Sequence, residues 1–305
     1  MKNVSSQSHS FDSGTVINPI TVYDTRDNTF ETPKDVSAAV CLVSGGLDSA
    51  TCLHHAVNLF GAANVLALSA YYGQKSACEL TFAEKECNKL NVQRIEMNLS
   101  EVLGFNKNYS SYIQGSNRDV EDGNYVDIIK AKVERGEAPI SDEYIPNRNS
   151  LLLNVACAIG LQYFGNKKFT IIQGIHSDDA LHTEGSNLAA YPDCTLEFAN
   201  AENKALQYAT AGLCYIYTPL VAKTKTQVVE FGVANGMTKE DFENTWSCYK
   251  GKKEEYQGKP CGTCPTDRDR IRALIQGIGY TKEDILRNYA ISEAECNTLY
   301  GELLG

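Results

Sequence analysis

Between residues 36 and 97 the chain alternates short apolar runs with longer segments of helical period, and no other feature restricts its fold as much. Residues 36–43 read as a buried strand, 48–60 as a helix, 64–71 as a strand, 78–90 as a helix and 92–97 as a strand. Strands that apolar need cover on both faces. A helix after each strand supplies it, so the pattern predicts an α/β fold with a doubly wound parallel sheet. The alternation resumes with a helix at 149–164, a strand at 169–174, a helix at 195–209 and a strand at 214–218. Residues 100–143 are rich in Asn, Ser, Gly and charge without a clear period, which predicts a long loop over a site at the strand ends. Residues 1–35 read as a polar N-terminal extension, 36–224 as the α/β domain, and 225–305 as a small helical region around a cysteine-bearing loop, with helical spacing at 285–289 and 292–304.

A net charge of −10 argues against an extended nucleic-acid partner, because phosphate contacts need clustered Lys and Arg. A small-molecule substrate is the better expectation. The polar start, 1–13, lacks the apolar stretch of a secretory signal, and the two longest uncharged runs carry Asn, Gln, Thr and Pro, which predicts a cytoplasmic protein without membrane spans. Eleven scattered cysteines, an odd number, do not make a disulfide framework.

Between the first strand and first helix stands Ser44-Gly45-Gly46-Leu47-Asp48-Ser49. The glycines let backbone N–H groups approach an anion, and the helix that follows aims its unpaired amides at the same point. Ser44 and Ser49 add hydroxyls; Asp48 suits a helix cap or an organiser of Mg2+. The plainer reading is a serine-and-glycine turn with an Asp cap.

A second constellation joins Cys248 to Cys261-Gly262-Thr263-Cys264, with Asp267 at the next matching spacing. Cys-x-x-Cys with a third Cys about a dozen residues earlier is the spacing of a structural Zn2+ site, and an aspartate can complete a tetrahedron. Unrelated reduced thiols and a redox pair remain as alternatives, the latter without the thioredoxin pattern that usually surrounds it. The remaining cysteines fall in apolar contexts that suit core positions.

The hexapeptide resembles the SGGxDS signature of the PP-loop ATP pyrophosphatases. With Tyr71-Tyr72-Gly73-Gln74-Lys75, Pro146-Asn147-Arg148-Asn149, Gly174 with Asp179, Tyr191-Pro192-Asp193-Cys194, Thr218-Pro219-Leu220 with Lys225, and the cysteine cluster ending in Arg270, residues 38–274 look like a 7-cyano-7-deazaguanine synthase (QueC-like). The resemblance implies ATP cleavage to AMP and pyrophosphate, adenylation of a 7-carboxy-7-deazaguanine carboxylate, and attack by an amine. It implies catalytic roles for Ser44, Asp48, Ser49 and Lys225, nucleotide contacts from Ser44–Ser49, Tyr72, Gln74 and Arg148, base recognition by Asp179, Tyr191 and Asp193, and zinc on Cys248, Cys261, Cys264 and Asp267. His176 and His182 are further acid-base candidates. A homodimer is expected from the family.

Four departures qualify it. Asp267 replaces the fourth family cysteine, Thr195 stands where familiar members have arginine, the 179–191 loop is longer by about eight residues than the resemblance leads one to expect, and both ends are extended. Departures beside the base pocket leave open a relative that joins the deazaguanine to a protein amine, as is thought for QueC-like enzymes of anti-phage (CBASS-type) operons. A tRNA-thiolating PP-loop enzyme and a nucleotide-binding protein without turnover are the further alternatives.

Overall fold

A computed structural model describes residues 28–178, 190–251 and 254–305. Its centre is a five-stranded, wholly parallel sheet of β1 (Ala38–Leu42), β2 (Val65–Tyr71), β3 (Gln93–Asn98), β4 (Phe169–Ile172) and β5 (Cys214–Tyr217), in the order β3-β2-β1-β4-β5. Every expected strand is present.

Side chains alternate along β1, and both sets are buried. Ala39 and Cys41 join a core with α1 (Leu47–Phe60), whereas Ala38 and Val40 join the opposite core with α5 (Arg148–Phe164) and α6 (Leu196–Ala209). The first core continues into α7 (Lys225–Ala234) and α9 (Pro265–Ile278) through Val228, Val229, Ile271 and Leu274. Covered by the sheet below and these helices above, α1 buries eight of its residues, Leu47, Ser49 to His54 and Ala56. Helix α2 (Glu79–Lys89) connects β2 to β3.

The chain runs outward from β1 to β3 and then returns to the far side of β1 as β4. Between β1 and β4 the connections therefore diverge to opposite sides of the sheet. The gap beyond their carboxyl ends is where parallel sheets bind ligands.

The segment 100–143 differs from its expected form. It holds a short α3 (Ser100–Leu103) and a ten-residue α4 (Tyr125–Glu134). Asn124 caps α4 by accepting from Asp127 N at 2.9 Å, and Tyr125 and Ile129, one turn apart, are buried. An apolar stripe two residues long among charges is too faint to read as a period.

Helices α8 (Lys239–Glu243), α10 (Lys282–Asn288) and α11 (Glu293–Leu304) complete the C-terminal region. Capping boxes at Thr224, Thr238, Thr281 and Ser292 start α7, α8, α10 and α11. Among the described residues no helix is long and apolar enough to cross a membrane.

Candidate functional site

The chain leaves β1 through Val43 and Ser44 and turns sharply into α1. Gly45 carries φ +94°, and a Cβ there would lie 2.0 Å from the Glu79 carbonyl oxygen and 2.9 Å from Ala83 N. A glycine is therefore the residue that lets the turn pack against α2. Trp246 N donates to Gly45 O at 2.9 Å from the other side. Within the loop, Ser49 Oγ accepts from Ser44 N at 3.2 Å and Gly45 N at 3.3 Å, and Gly46 N donates to Ser44 Oγ at 3.2 Å. Three consecutive amides thus converge on two hydroxyls that an anion can replace, at the positive end of α1.

Asp48, in the first turn of α1, receives both its oxygens' partners from one group: Lys225 Nζ lies 2.7 Å from Oδ1 and from Oδ2. His176 Nε2 is 3.2 Å from the same ammonium. Burial pushes the Asp48 carboxyl up, but Lys225 and His176 outweigh it and hold it below the usual carboxylate value. Lys225 opens α7, and its own N–H donates to Asp178 at 2.7 Å. From the β4 side Gly174 closes in; a Cβ there would come within 3.2 Å of the Asp48 backbone.

A cleft with about 900 Å³ of empty space, counting the part open to solvent, extends from this loop. Ser44, Asp48, Ser49, Tyr72 and Arg148 line it. Arg148 Nη1 is 3.3 Å from the Tyr72 hydroxyl, and its guanidinium lies 5.8 Å from that ring's centroid. The other expected residues stand behind this wall. Gln74 accepts from Tyr72 N at 2.8 Å and donates to Ala70 O and Glu79 at 3.2 Å each, bracing the wall. Asp193 accepts from Asn149 N at 3.2 Å, while its Oδ1 is buried without a hydrogen-bond partner among the described residues. The Tyr191 hydroxyl lies 3.0 Å from that of Tyr125. Asp179 and His182 lie outside the described residues.

Sequence reasoning did not single out Glu79, Tyr112 or Gln173, all of which line the cleft. Glu79 reads as an ordinary first-turn carboxylate of α2. Tyr112 reaches the cleft from the irregular 100–143 segment, and Gln173 from the end of β4. The alternation of strand and helix pointed to the switch point, but it does not say which side chains of remote segments fold back onto it. Thr195, one of the departures, is half-buried and caps α6 by accepting from Phe198 N at 3.2 Å; it does not line the cleft.

The second constellation is assembled as the spacing predicts. Ligand atoms of Cys248, Cys261, Cys264 and Asp267 all lie within 4.8 Å of one another, and all four residues are buried. Thr263 N and Cys264 N donate to Cys261 Sγ at 3.4 and 3.3 Å, Cys261 N donates to Cys248 Sγ at 3.4 Å, and Gly262 N donates to Asp267 Oδ2 at 3.0 Å. Amides aimed at sulfur suit thiolates, and Asp267 Oδ1 has no hydrogen-bond partner among the described residues. This donor set could hold zinc. Trp246, whose amide supports Gly45, donates its indole N–H to Cys248 O at 3.0 Å, linking the cluster to the Ser44–Ser49 loop.

Residues 38–277 match the family described as queuosine biosynthesis protein QueC. The chain is 32% identical over 238 residues to 7-cyano-7-deazaguanine synthase 2 of Colwellia psychrerythraea, covering 77% of this chain and 92% of that one. It is 30% identical over 248 residues to 7-cyano-7-deazaguanine synthase of Chromohalobacter salexigens, covering 81% and 85%. The structure of NMN synthetase from Francisella tularensis overlays at a TM-score of 0.43 and 17% identity over 93% of each chain, a likeness too distant to bear on function. The expected PP-loop, ATP-dependent ligase-type enzyme agrees with this kinship. The chain belongs to the QueC family of queuosine biosynthesis proteins.

Proposed function

We propose that this enzyme adenylates the carboxylate of a 7-carboxy-7-deazaguanine-type substrate with ATP and passes the activated acyl group to an amine, as a 7-cyano-7-deazaguanine synthase does. The observation that carries the reading is the single cleft at the β1/β4 switch point. It joins the Ser44–Ser49 loop, with its three convergent amides, to a wall of Tyr72 and Arg148.

In this reading the amides of Ser44, Gly45 and Gly46 take the β and γ phosphates in place of the serine hydroxyls. Lys225 neutralises charge on the departing pyrophosphate. The substrate carboxylate oxygen attacks the α phosphorus, the bond to pyrophosphate breaks, and that oxygen becomes a good leaving group as part of AMP. An amine then attacks the carbonyl carbon and expels AMP with the bonding electron pair. Both Asp48 oxygens are engaged by Lys225, so we assign Mg2+ to the phosphates of ATP rather than to Asp48, where it would shield charge. Arg148 and Tyr72 suit a purine-like ring by stacking and charge. Zinc on the cysteine cluster would fix the start of α9 and, through Trp246, the loop that holds phosphate.

Incubation with ATP, Mg2+, 7-carboxy-7-deazaguanine and ammonium tests the reading. AMP, pyrophosphate and a nitrile product are expected, two ATP being consumed per nitrile: the second adenylates the oxygen of the amide formed first, and loss of that oxygen with AMP and of both N–H protons to water leaves the C≡N bond. Conversion of ATP to ADP and orthophosphate by pure protein would overturn it. The reading in which a protein amine is the acceptor gains nothing from Thr195, since that side chain serves as a helix cap.

A further inference from the structure

Glu79 is a carboxylate of the cleft without a task in adenylation. It opens α2, its side chain is buried against the cleft, and its backbone carbonyl packs on Gly45 of the phosphate-facing loop. The same residue thus lines the cleft and supports the loop. Gln74 Nε2 donates to Oε1 at 3.2 Å, which fixes its orientation from β2's end. The groups that face it are Arg148 from α5, Tyr72 after β2, Ser76 before α2, and Tyr112 from the 100–143 segment. None of them forms an ion pair with it among the described residues. Arg148 instead engages the Tyr72 hydroxyl, and burial raises the Glu79 carboxyl to about 7 against the pull of Gln74 and Arg148.

The amine step needs such a group. At neutral pH the simplest amine, ammonia, is present mainly as ammonium, which has no lone pair with which to attack. We infer that Glu79 is the proton acceptor for the incoming amine: its carboxylate binds ammonium in the cleft and takes one proton, leaving ammonia beside the acyl adenylate. Ammonia then forms the C–N bond, AMP departs with the electrons of the C–O bond, and the extra proton on nitrogen passes to water. A buried site favours this transfer because it replaces an ion pair by two neutral molecules. The aromatic rings of Tyr72 and Tyr112, 6.3 Å apart between centroids, form an apolar flank that also suits a small cation before transfer. The assignment rests on the adenylation reading, and its test separates the two.

The variant is Glu79→Gln, which keeps the size of the side chain and can still pair with Gln74. ATP–pyrophosphate exchange dependent on 7-carboxy-7-deazaguanine reports adenylation alone; amide formation from ammonium reports the second step. The variant is expected to keep exchange within about twofold while amide formation at pH 7 falls by about 10²-fold, the low end of acid-base catalysis. The deficit should shrink as pH rises from 7 to 9, because free ammonia then no longer needs a base. Glu79→Asp, which keeps a carboxylate, should restore part of the amide step and guards against a variant that fails for reasons of folding. An equal loss of exchange and amide formation, or a deficit that does not change with pH, would overturn the role of Glu79. Absence of exchange in the wild-type enzyme would overturn the adenylation reading itself, and the Glu79 assignment with it.

Discussion

Replacing Gly45 by alanine tests the architecture of the phosphate-facing loop, and its cost can be worked from the structure. Two terms contribute. The first is conformational: at φ +94° an L side chain is strained, at about 1–3 kcal/mol. The second is steric. The new Cβ would sit 2.0 Å from the Glu79 carbonyl oxygen, so α2 or the loop must yield by about 1 Å to reach even a tight contact. Backbone forced apart in this way adds about 1–3 kcal/mol, for roughly 2–6 kcal/mol in all. At about 2 °C per kcal/mol for a chain of this size, the midpoint of thermal unfolding should fall by roughly 4–12 °C. Gly236→Ala separates the terms: Gly236 has φ +90° but nothing within 4 Å of a Cβ, so that variant should lose the conformational part alone. Thermal unfolding of both variants, with ATP–pyrophosphate exchange as a second readout, reads the difference. Exchange should collapse in Gly45→Ala and persist in Gly236→Ala. Equal melting temperatures for the two, or normal exchange in Gly45→Ala, would refute the close approach of the loop to α2.

Three further outcomes are expected. Asp48→Asn should cost about 1–3 kcal/mol by leaving the Lys225 ammonium poorly compensated, and should abolish exchange. Because the Asp48 carboxyl is held below its unfolded value of about 4, its contribution is present above that pH and is lost as pH falls through the folded value; acid unfolding of Asp48→Asn should therefore show a shallower pH slope than wild type in that window. Metal analysis should find one zinc per chain, and chelation should lower the melting temperature and weaken ATP binding together, since Trp246 ties the cysteine loop to Gly45; a metal-free protein that melts no lower after chelation would refute the site. Asp267→Cys should retain the zinc, and Asp267→Ala should lose it to a competing chelator more readily, which metal content after dialysis would show.

The features that were legible in the sequence are those encoded by neighbours along the chain. The Ser44–Ser49 turn reads from six consecutive residues, the strands from their apolar runs, and the cysteine cluster from spacing across a loop whose two sides must meet. The cleft wall was legible in part. Tyr72 and Arg148, for which the resemblance implies nucleotide contacts, line it, whereas Gln74 and Tyr191 do not, and each finds a polar partner elsewhere: Gln74 the Tyr72 amide and Tyr191 the Tyr125 hydroxyl. Glu79 was hidden by its position. A glutamate in the first turn of a helix is what the helix dipole favours on any exposed surface, and burial against a cleft depends on Gly45 and Tyr112, 34 and 33 residues away. Helix α4 was missed for a related reason, since the partners of Tyr125 include Tyr191, far along the chain.

The central claim is that a carboxylate oxygen of the substrate becomes bonded to the α phosphorus of ATP. Substrate labelled with ¹⁸O in its carboxylate tests this most directly, by mass spectrometry of the nucleotide released on turnover with ammonium. The account predicts one labelled oxygen in AMP, with pyrophosphate unlabelled. Label in orthophosphate with release of ADP, or AMP free of label, would contradict it.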